Sequence, residues 1–219
     1  MVKKPLAGRP LSVERLQYIS CPINIAQIIR GIIMEHISDC VRAMLLACGE
    51  DPEREGLRDT PQRVANSLEF LTRGYRSDPD EIVGDAIFHE ESNHMIIVRD
   101  IEVYSMCEHH MLPFFGRCQI GYIPRGRVFG VSKLARLVDC FARRLQVQER
   151  LTNQIARYIK DKINAEGVGV VLECRHLCMM MRGVEKQGSS MVTSAVLGSF
   201  HDSEATRNEF LQLLQRPGV

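Results

Sequence analysis

The spacing of apolar residues changes from a helical to a strand pattern near residue 94, and that change limits the folds open to this chain. From residue 25 to residue 49, apolar side chains recur at the i, i+3, i+4, i+7 spacing that gives a helix one apolar face. Residues 59–74 repeat this pattern after an Asp-Thr-Pro capping sequence. From residue 94 onward, runs rich in β-branched and aromatic residues take over. Two helices should therefore precede the first strand.

The second part of the chain is predicted to run strand, strand, helix, helix, strand, strand, with a short helix at the end. The predicted strands are 95–105, 117–123, 168–178 and 190–200, and the predicted helices are 132–145, 147–164 and 204–214. This order predicts an α+β fold in which an antiparallel sheet carries two helices on one face. We expect three regions: a flexible tail over 1–22, an N-terminal helical region over 23–92 and a sheet domain over 93–219.

The composition is that of an ordinary globular chain. Its 219 residues are 45% hydrophobic and 25% charged, with a formal net charge of +1. Because there is no basic excess and no apolar run near the roughly 20 residues that span a membrane, we expect neither nucleic acid nor membrane as a partner. Eight cysteines without a secretory leader favour a reducing, cytoplasmic location over four disulfides. Five of them should be buried small hydrophobic residues: Cys21, Cys40, Cys48, Cys118 and Cys140.

Cys107 and His110 stand three positions apart within the segment Cys-Glu-His-His, just beyond a predicted strand. A zinc ion takes thiolate and imidazole ligands in a tetrahedron, and side chains at i and i+3 can reach one ion from a single turn. The spacing therefore predicts a metal site with these two ligands. A third ligand must come from elsewhere. His109 is a further imidazole in the segment that this pair of ligands does not use.

A second group of such residues lies on the strand predicted over 168–178. Successive strand side chains alternate between faces, so Cys174, His176 and Cys178 should all project from one side. The spacings C-x-x-H and C-x-H-x-C are not those of a standard zinc finger. Three protein ligands leave a position for water, as in catalytic zinc sites, whereas a structural site uses four.

A candidate anion site opens the helix predicted from residue 132. Ser132 would cap the helix with its hydroxyl, and Lys133 and Arg136 stand one turn apart behind it. An ordinary capped helix with a solvated cationic face explains this segment equally well.

Two further features fall near the same predicted region. Arg182 follows the strand of Cys178 at a distance that returns a guanidinium toward the metal, although an isolated arginine is usually a surface residue. Gln148 and Glu149 begin the next helix, where a carboxylate is also favourable simply as a partner of the helix dipole. Each feature thus keeps a structural explanation beside a functional one.

Taken together, these motifs resemble the GTP cyclohydrolase I family. The resemblance runs over residues 55–214 and rests on six segments: Glu-Gly-Leu-Arg-Asp-Thr-Pro-Gln-Arg63, Cys107-Glu-His-His110, Gly130-Val-Ser-Lys133, Gln146-Val-Gln-Glu-Arg150, His176-Leu-Cys178 and Arg182-Gly183. It implies a tunnelling fold, in which the sheets of several subunits join into a barrel, and a homodecamer with active sites at subunit interfaces. Residues 93–219 would then form the catalytic tunnelling-fold domain.

The resemblance also implies an activity. GTP and water would give 7,8-dihydroneopterin triphosphate and formate, a first step in pterin biosynthesis. Zinc would be held by Cys107, His110 and Cys178 with water in the fourth place, and Cys174 is not a ligand position of the family. Water activated by zinc near neutral pH would attack C8 of guanine.

Roles for further residues come from the same resemblance. His109 and His176 would carry protons, and Ser132 would lie near the ribose. Glu149, with Gln148 beside it, would accept paired hydrogen bonds from the guanine edge, which makes it part of both catalysis and binding. The triphosphate would meet four cations: Lys133, Arg136, Arg182 and Arg63.

Two alternatives stay open. A non-catalytic, zinc-stabilised binding module would explain the cysteines, but it would not need His109 and His176 free beside the metal. Another purine or pterin enzyme of the same fold would not be expected to combine the Cys-Glu-His-His segment with triphosphate-binding cations. The oligomer number, a regulatory protein partner and the pathway that takes the product are not encoded in these motifs.

Overall fold

The computed structural model describes residues 25–215, so the tail predicted over 1–22 lies outside the described residues. The chain divides into two compact units, with the boundary between Ala65 and Asn66. The first unit contains α1 (Ile25–Ala47) and the start of α2 (Thr60–Leu71), which confirms the two helices expected before the first strand. Within residues 25–215, no helix is long and apolar enough to cross a membrane.

The apolar side chains of α1 are mostly exposed. Ile29, Ile32, Ile33 and Met44 are all exposed, and among the apolar residues described on this helix Val41 is the buried one. The helical periodicity predicted the element correctly, but among the described residues most of the apolar stripe that it defines is exposed.

The cysteines meet the expectations only in part. Cys118 and Cys140 are buried, as predicted for small hydrophobic residues, and Cys21 lies outside the described residues. Cys40 and Cys48 are exposed, so that prediction was wrong for them. They follow the apolar spacing of α1 and its end, but periodicity alone does not show which part of a helix is covered. No disulfide joins the cysteines of residues 25–215.

A five-stranded sheet is the centre of the second unit. Its strands are β2 (Ile96–Cys107), β3 (Pro113–Ile123), β5 (Leu145–Gln146), β6 (Gly167–His176) and β7 (Met191–Gly198). The order across the sheet is β5-β2-β3-β6-β7, and every pairing is antiparallel except the short parallel pair of β2 and β5. A separate small sheet pairs β1 (Ile87–His89) with β4 (Arg127–Phe129).

Two long helices pack on one face of this sheet, as expected. They are α4 (Val131–Ala142) and α5 (Gln148–Ile163), and the remaining helices are α3 (Pro79–Val83), α6 (Leu177–Met180), α7 (Ser199–Asp202) and α8 (Glu204–Leu214), with a 3-10 helix at Arg73–Arg76. Fully buried leucines and isoleucines of α4 and α5 join the inward residues of β3 and β6 in one core. The α+β prediction is confirmed at this level.

The C-terminal helices α7 and α8 cover part of the opposite sheet face. Ile120 belongs to the core under α4 and α5, so the next residue, Gly121, faces the other way. A methyl group on Gly121 would stand 2.6 Å from the ring of Phe210, and one on Gly169 would stand 2.7 Å from the ring of Phe200. These glycines therefore make room for two fully buried phenylalanines.

The substitution Gly121→Ala should lower the free energy of unfolding by about 1–3 kcal/mol, because it overpacks the contact with Phe210. Urea unfolding followed by circular dichroism measures this. Adding Phe210→Leu should recover part of the loss, which would appear as non-additivity in the double variant. The control is Gly188→Ala, where the added methyl group meets no atom within 4 Å. Equal effects at positions 121 and 188 would contradict the packing described.

Candidate metal centre and its surroundings

The turn between β2 and β3 carries two of the predicted ligands. β2 ends at Cys107, whose backbone N–H donates to the carbonyl of Leu112 at 2.9 Å. The N–H of Met111 donates to the carbonyl of Cys107 at 2.8 Å, and Met111 has φ 53°, in the left-handed region that few residues with a side chain adopt. This tight turn brings Sγ of Cys107 to 4.0 Å from Nδ1 of His110.

Cys178 reaches the same place from the end of β6. That strand ends at His176, and the residues after it turn into the short helix α6. The strand predicted over 168–178 is therefore two residues too long, and the expected shared face of Cys174, His176 and Cys178 does not hold for Cys178. Cys174 is buried inside the sheet core, where burial raises the pKa of its thiol.

The ligand atoms of Cys107, His110 and Cys178 all lie within 4.8 Å of one another. A tetrahedral ion of zinc's size needs its ligand atoms roughly 3.3–3.8 Å apart, so a small closure of the side chains suffices. Burial, and then the neighbouring Cys107, raise the pKa of the Cys178 thiol. Two thiols and an imidazole suit a borderline divalent cation, and three ligands leave its coordination incomplete. The group can hold a metal ion with an open position.

His109 lies beside this group without belonging to it. Its Nδ1 is 3.8 Å from Sγ of Cys107, and its ring meets that of His110 edge to face, with centroids 6.3 Å apart. Its side chain is exposed. An exposed imidazole in this position is accessible to a molecule bound at the metal group.

His176 is the second histidine next to the group, and it is held more firmly. Its ring stacks on Phe114, with centroids 4.6 Å apart and the planes within 7°. Its Nε2 lies 2.8 Å from Oε1 of Gln148. Burial lowers the pKa of His176, and the charge of Glu149 acts in the opposite direction. With a pKa below its usual range, the imidazole is neutral at pH 7.

The first turn of α5 lies beside the metal group, and its three consecutive side chains have different surroundings. Gln148 is buried, Glu149 is exposed, and Arg150 forms a bidentate pair with Glu108 at 2.6 and 3.1 Å. The hydrogen bonds from Arg150 hold the pKa of Glu108 below its usual range. This pair ties the metal-bearing turn to α5. We did not predict it from the sequence, although both residues lie within the motifs quoted above.

Glu149 presents its carboxylate to solvent at the N-terminus of α5. It makes no ion pair with any other residue of the described range, and its charge is felt by His176. The side chain is therefore an open hydrogen-bond acceptor beside the site.

The cations predicted on α4 occupy a separate neighbourhood. The N-cap of α4 is Gly130, with no side-chain cap, so the expected hydroxyl cap from Ser132 was wrong; Ser132 is the second residue of the helix and is exposed. Nζ of Lys133 donates to the carbonyl of Ile82 at 2.8 Å. Arg136 lines a small cleft that also includes Ile82, and it makes no ion pair among the described residues.

The two remaining predicted cations differ from each other. Nη1 of Arg182 lies 3.3 Å from Nε2 of His110, which places this guanidinium against a metal-ligand side chain. Arg63 belongs to α2 in the first unit, where it pairs with Asp59 at 3.0 Å on an exposed surface. The partners described for these cations are different groups of the protein, and their convergence on one ligand stays a prediction.

A sheet-based α+β unit with an incomplete Cys-His-Cys metal group, two unliganded histidines and an open carboxylate has the features of a metal-dependent enzyme. The family model of GTP cyclohydrolase I matches residues 37–215. The chain belongs to the GTP cyclohydrolase I family, and this confirms the resemblance of its motifs.

Named relatives agree with the family assignment. A protein of Chlorobium phaeovibrioides named GTP cyclohydrolase 1 is 58% identical over 183 residues, which cover 84% of this chain and 82% of that protein. One of the same name from Coxiella burnetii is 56% identical over 180 residues, covering 82% of this chain and 98% of its own. A solved structure of an archaeosine synthase QueF-Like covers 49% of this chain with 19% identity and a TM-score of 0.42, too low to support a conclusion.

Removal of either ligand cysteine should abolish metal binding. We expect Cys107→Ser and Cys178→Ser to be purified without stoichiometric metal, because two remaining ligands hold an ion poorly. Cys174→Ser is the matched control, since Cys174 lies in the sheet core outside the ligand group. Elemental analysis of the purified proteins measures the content. A Cys178→Ser protein that keeps one metal per chain would contradict the assignment and make Cys174 the next candidate.

Proposed function

We propose that this chain is a zinc-dependent GTP cyclohydrolase I, which converts GTP and water to 7,8-dihydroneopterin triphosphate and formate. The observation that carries the proposal is the convergence of Cys107, His110 and Cys178 beside His176 and Glu149, in a member of this family. A structural metal site would need neither the open coordination position nor the two unliganded histidines.

Zinc is the metal that this ligand set favours. Zn²⁺ accepts thiolate and imidazole together and needs no redox partner. When bound, it supplies Lewis-acid activation of water near neutral pH. The two thiols are also held in place by the sheet. Cys107 is the last residue of β2, and Cys178 lies on the short helix α6, which directly follows β6.

His109 and His176 carry the protons in this proposal. Opening the imidazole ring of guanine and releasing formate requires proton delivery to ring nitrogen and proton removal from water. His109 is exposed beside Cys107, and His176 is neutral at pH 7, so one ring is open to the substrate and the other can accept a proton. Both lie next to the metal group without being part of it.

Glu149 anchors the guanine in this proposal. Its exposed carboxylate has no ion-pair partner in residues 25–215 and stands close enough to His176 to influence that pKa. A carboxylate can accept hydrogen bonds from N1–H and the 2-amino group of guanine at once, an arrangement that adenine does not offer. Ser132 would contact the ribose.

In this proposal, the triphosphate is bound at an interface between subunits of the oligomer. Lys133, Arg136, Arg182 and Arg63 would bind the phosphates, and residues of more than one subunit would complete each site. Support comes from the sheet edges: β5 pairs only with Met106 and Cys107 of β2, and in the described residues β7 pairs only with β6. The open edge of a sheet can pair with a strand of another chain. Sheets joined edge to edge into a barrel, in a cytoplasmic homodecamer, would provide it.

The proposed function is tested by incubating the zinc-loaded protein with GTP and measuring formate and the fluorescent oxidised pterin. The parent should produce both in equal amounts. His109→Ala and His176→Ala should keep zinc but lose about 10²–10⁴ in kcat, the usual worth of a positioned acid or base. A parent that binds zinc and GTP but releases no formate would favour the binding module instead.

The triphosphate contacts are tested by comparing GTP with guanosine. Lys133→Ala or Arg182→Ala should lower kcat/KM for GTP by about 10- to 150-fold, the equivalent of a charge-assisted contact of roughly 1.5–3 kcal/mol. Guanosine, already a poor substrate, should be little affected, and the exposed Arg125 provides a control variant, Arg125→Ala. Equal losses on both substrates would mean that these cations support the fold or an interface.

A further inference from the structure

The side-chain amide of Gln148 is buried and fully hydrogen bonded inside the protein. Only 1% of the residue is exposed. Its Nε2 donates to the carbonyl of Leu172 at 3.1 Å, the carbonyl of Met191 at 2.9 Å and Oγ1 of Thr193 at 3.1 Å. Its Oε1 lies 2.8 Å from Nε2 of His176. Two amide protons face three acceptors, so no donor of this side chain is left for a substrate.

Neighbouring hydroxyls confirm which end of the amide is nitrogen. Oγ1 of Thr152 donates to the backbone carbonyl of Gln148 at 2.7 Å, so its one proton is used there. Thr193 must then donate its own proton to Thr152 across the 2.7 Å contact of their Oγ1 atoms. Thr193 is therefore an acceptor toward Gln148, and the opposite amide orientation would set oxygen against two carbonyls. The amide is held in one orientation, with its oxygen toward His176.

An amide oxygen only accepts hydrogen bonds, so Nε2 of His176 must carry a proton. In the neutral ring, Nδ1 is then the unprotonated nitrogen. Stacking on Phe114 restricts the plane of the same ring. The hydrogen bond from Nε2 and the stacking on Phe114 together fix both the direction and the plane of the ring.

We infer that Gln148 is a positioning residue that fixes the orientation of the His176 ring through its hydrogen bond to Nε2, and that the side chain of Gln148 is not a ligand of GTP. This revises the substrate-binding role expected for Gln148 from the sequence. It rests on the proposed function only in that His176 is a proton carrier. Loss of the Gln148 amide should therefore lower kcat, because His176 is no longer held in place, and should leave the dissociation constant of GTP nearly unchanged.

A double-mutant cycle on the zinc-loaded full chain tests this inference. Gln148→Met keeps the side-chain length but removes the hydrogen bonds, and it should lower kcat by tenfold or more, up to the roughly 10²–10⁴ that His176 itself contributes. In a His176→Ala background the same change should cost less than about threefold, because the residue through which it acts is absent. Full loss in both backgrounds would overturn the inference.

GTP affinity separates positioning from substrate binding. Calorimetry on His176→Ala and on His176→Ala/Gln148→Met avoids turnover during the measurement. The two dissociation constants should agree within about threefold, whereas a direct contact of a buried amide with the base would weaken binding by roughly tenfold or more. The weakened binding would overturn the inference.

A matched control separates positioning from general support of the fold. Gln146 is likewise buried, 2% exposed, and its amide donates to the carbonyl of Phe141 and to Oε1 of Gln154, away from His176. Gln146→Met should lower Tm about as much as Gln148→Met yet keep kcat within about threefold of the parent. Equal losses of kcat in the two variants would assign Gln148 a merely structural role.

A conservative variant completes the test and also serves where Gln148→Met fails to fold. Gln148→Asn keeps the amide but is one methylene shorter, so it should no longer hold Nε2 of His176. Its kcat should therefore fall as that of Gln148→Met does, and the loss should vanish in the His176→Ala background. A loss that persists there would overturn the inference. If the zinc-loaded parent releases no formate from GTP, the proposed function is wrong. If the parent is active but the double-mutant cycle gives the same loss in both backgrounds, only the inference about Gln148 is wrong.

Discussion

The pairing register of β3 with β6 is the constraint on which the candidate site depends. Phe114 lies opposite His176 in this register, so the end of β6 stands beside the turn that carries Cys107 and His110. Cys178 follows two residues later and completes the ligand group. A slip by one residue would turn every side chain of β6 to the other sheet face and separate the ligands. The glycines opposite Phe200 and Phe210, and the apolar residues under α4 and α5, make that register the one that packs.

The first turn of α5 distributes three neighbouring residues over three directions, because successive residues of a helix are about 100° apart. Gln148 enters the core and holds His176, Glu149 faces solvent beside it, and Arg150 reaches Glu108 in the metal-bearing turn. The start of α5 thus sets the distances between the candidate metal group, the proposed proton carrier His176 and the proposed base anchor Glu149. Surface ion pairs contribute little to stability in general, so the pair with Glu108 has its main effect on geometry.

Much of this architecture could be predicted because it follows from local periodicity. The residues 204–214 form α8 within the predicted limits, and the two helices before the sheet begin where their apolar spacing begins. The errors have physical causes. The strand predicted to end at Cys178 was too long. The alternating residue pattern of the sequence continues past His176, but the chain forms the helix α6 from Leu177 onward. Ser132 did not cap α4 because that helix starts one residue earlier, at Val131.

The sequence by itself determined the order of helices and strands, the residue types able to bind a metal, and, through its motifs, the family. These properties depend on neighbours a few residues apart. Only the tertiary structure decided that Glu108 pairs with Arg150 and that the amide of Gln148 is turned toward His176, and it shows how Cys178, the ligand implied by the family resemblance, comes to lie beside Cys107 and His110. Each of these contacts joins residues far apart in the chain, and strand register and helix packing, which no short segment encodes, bring them together.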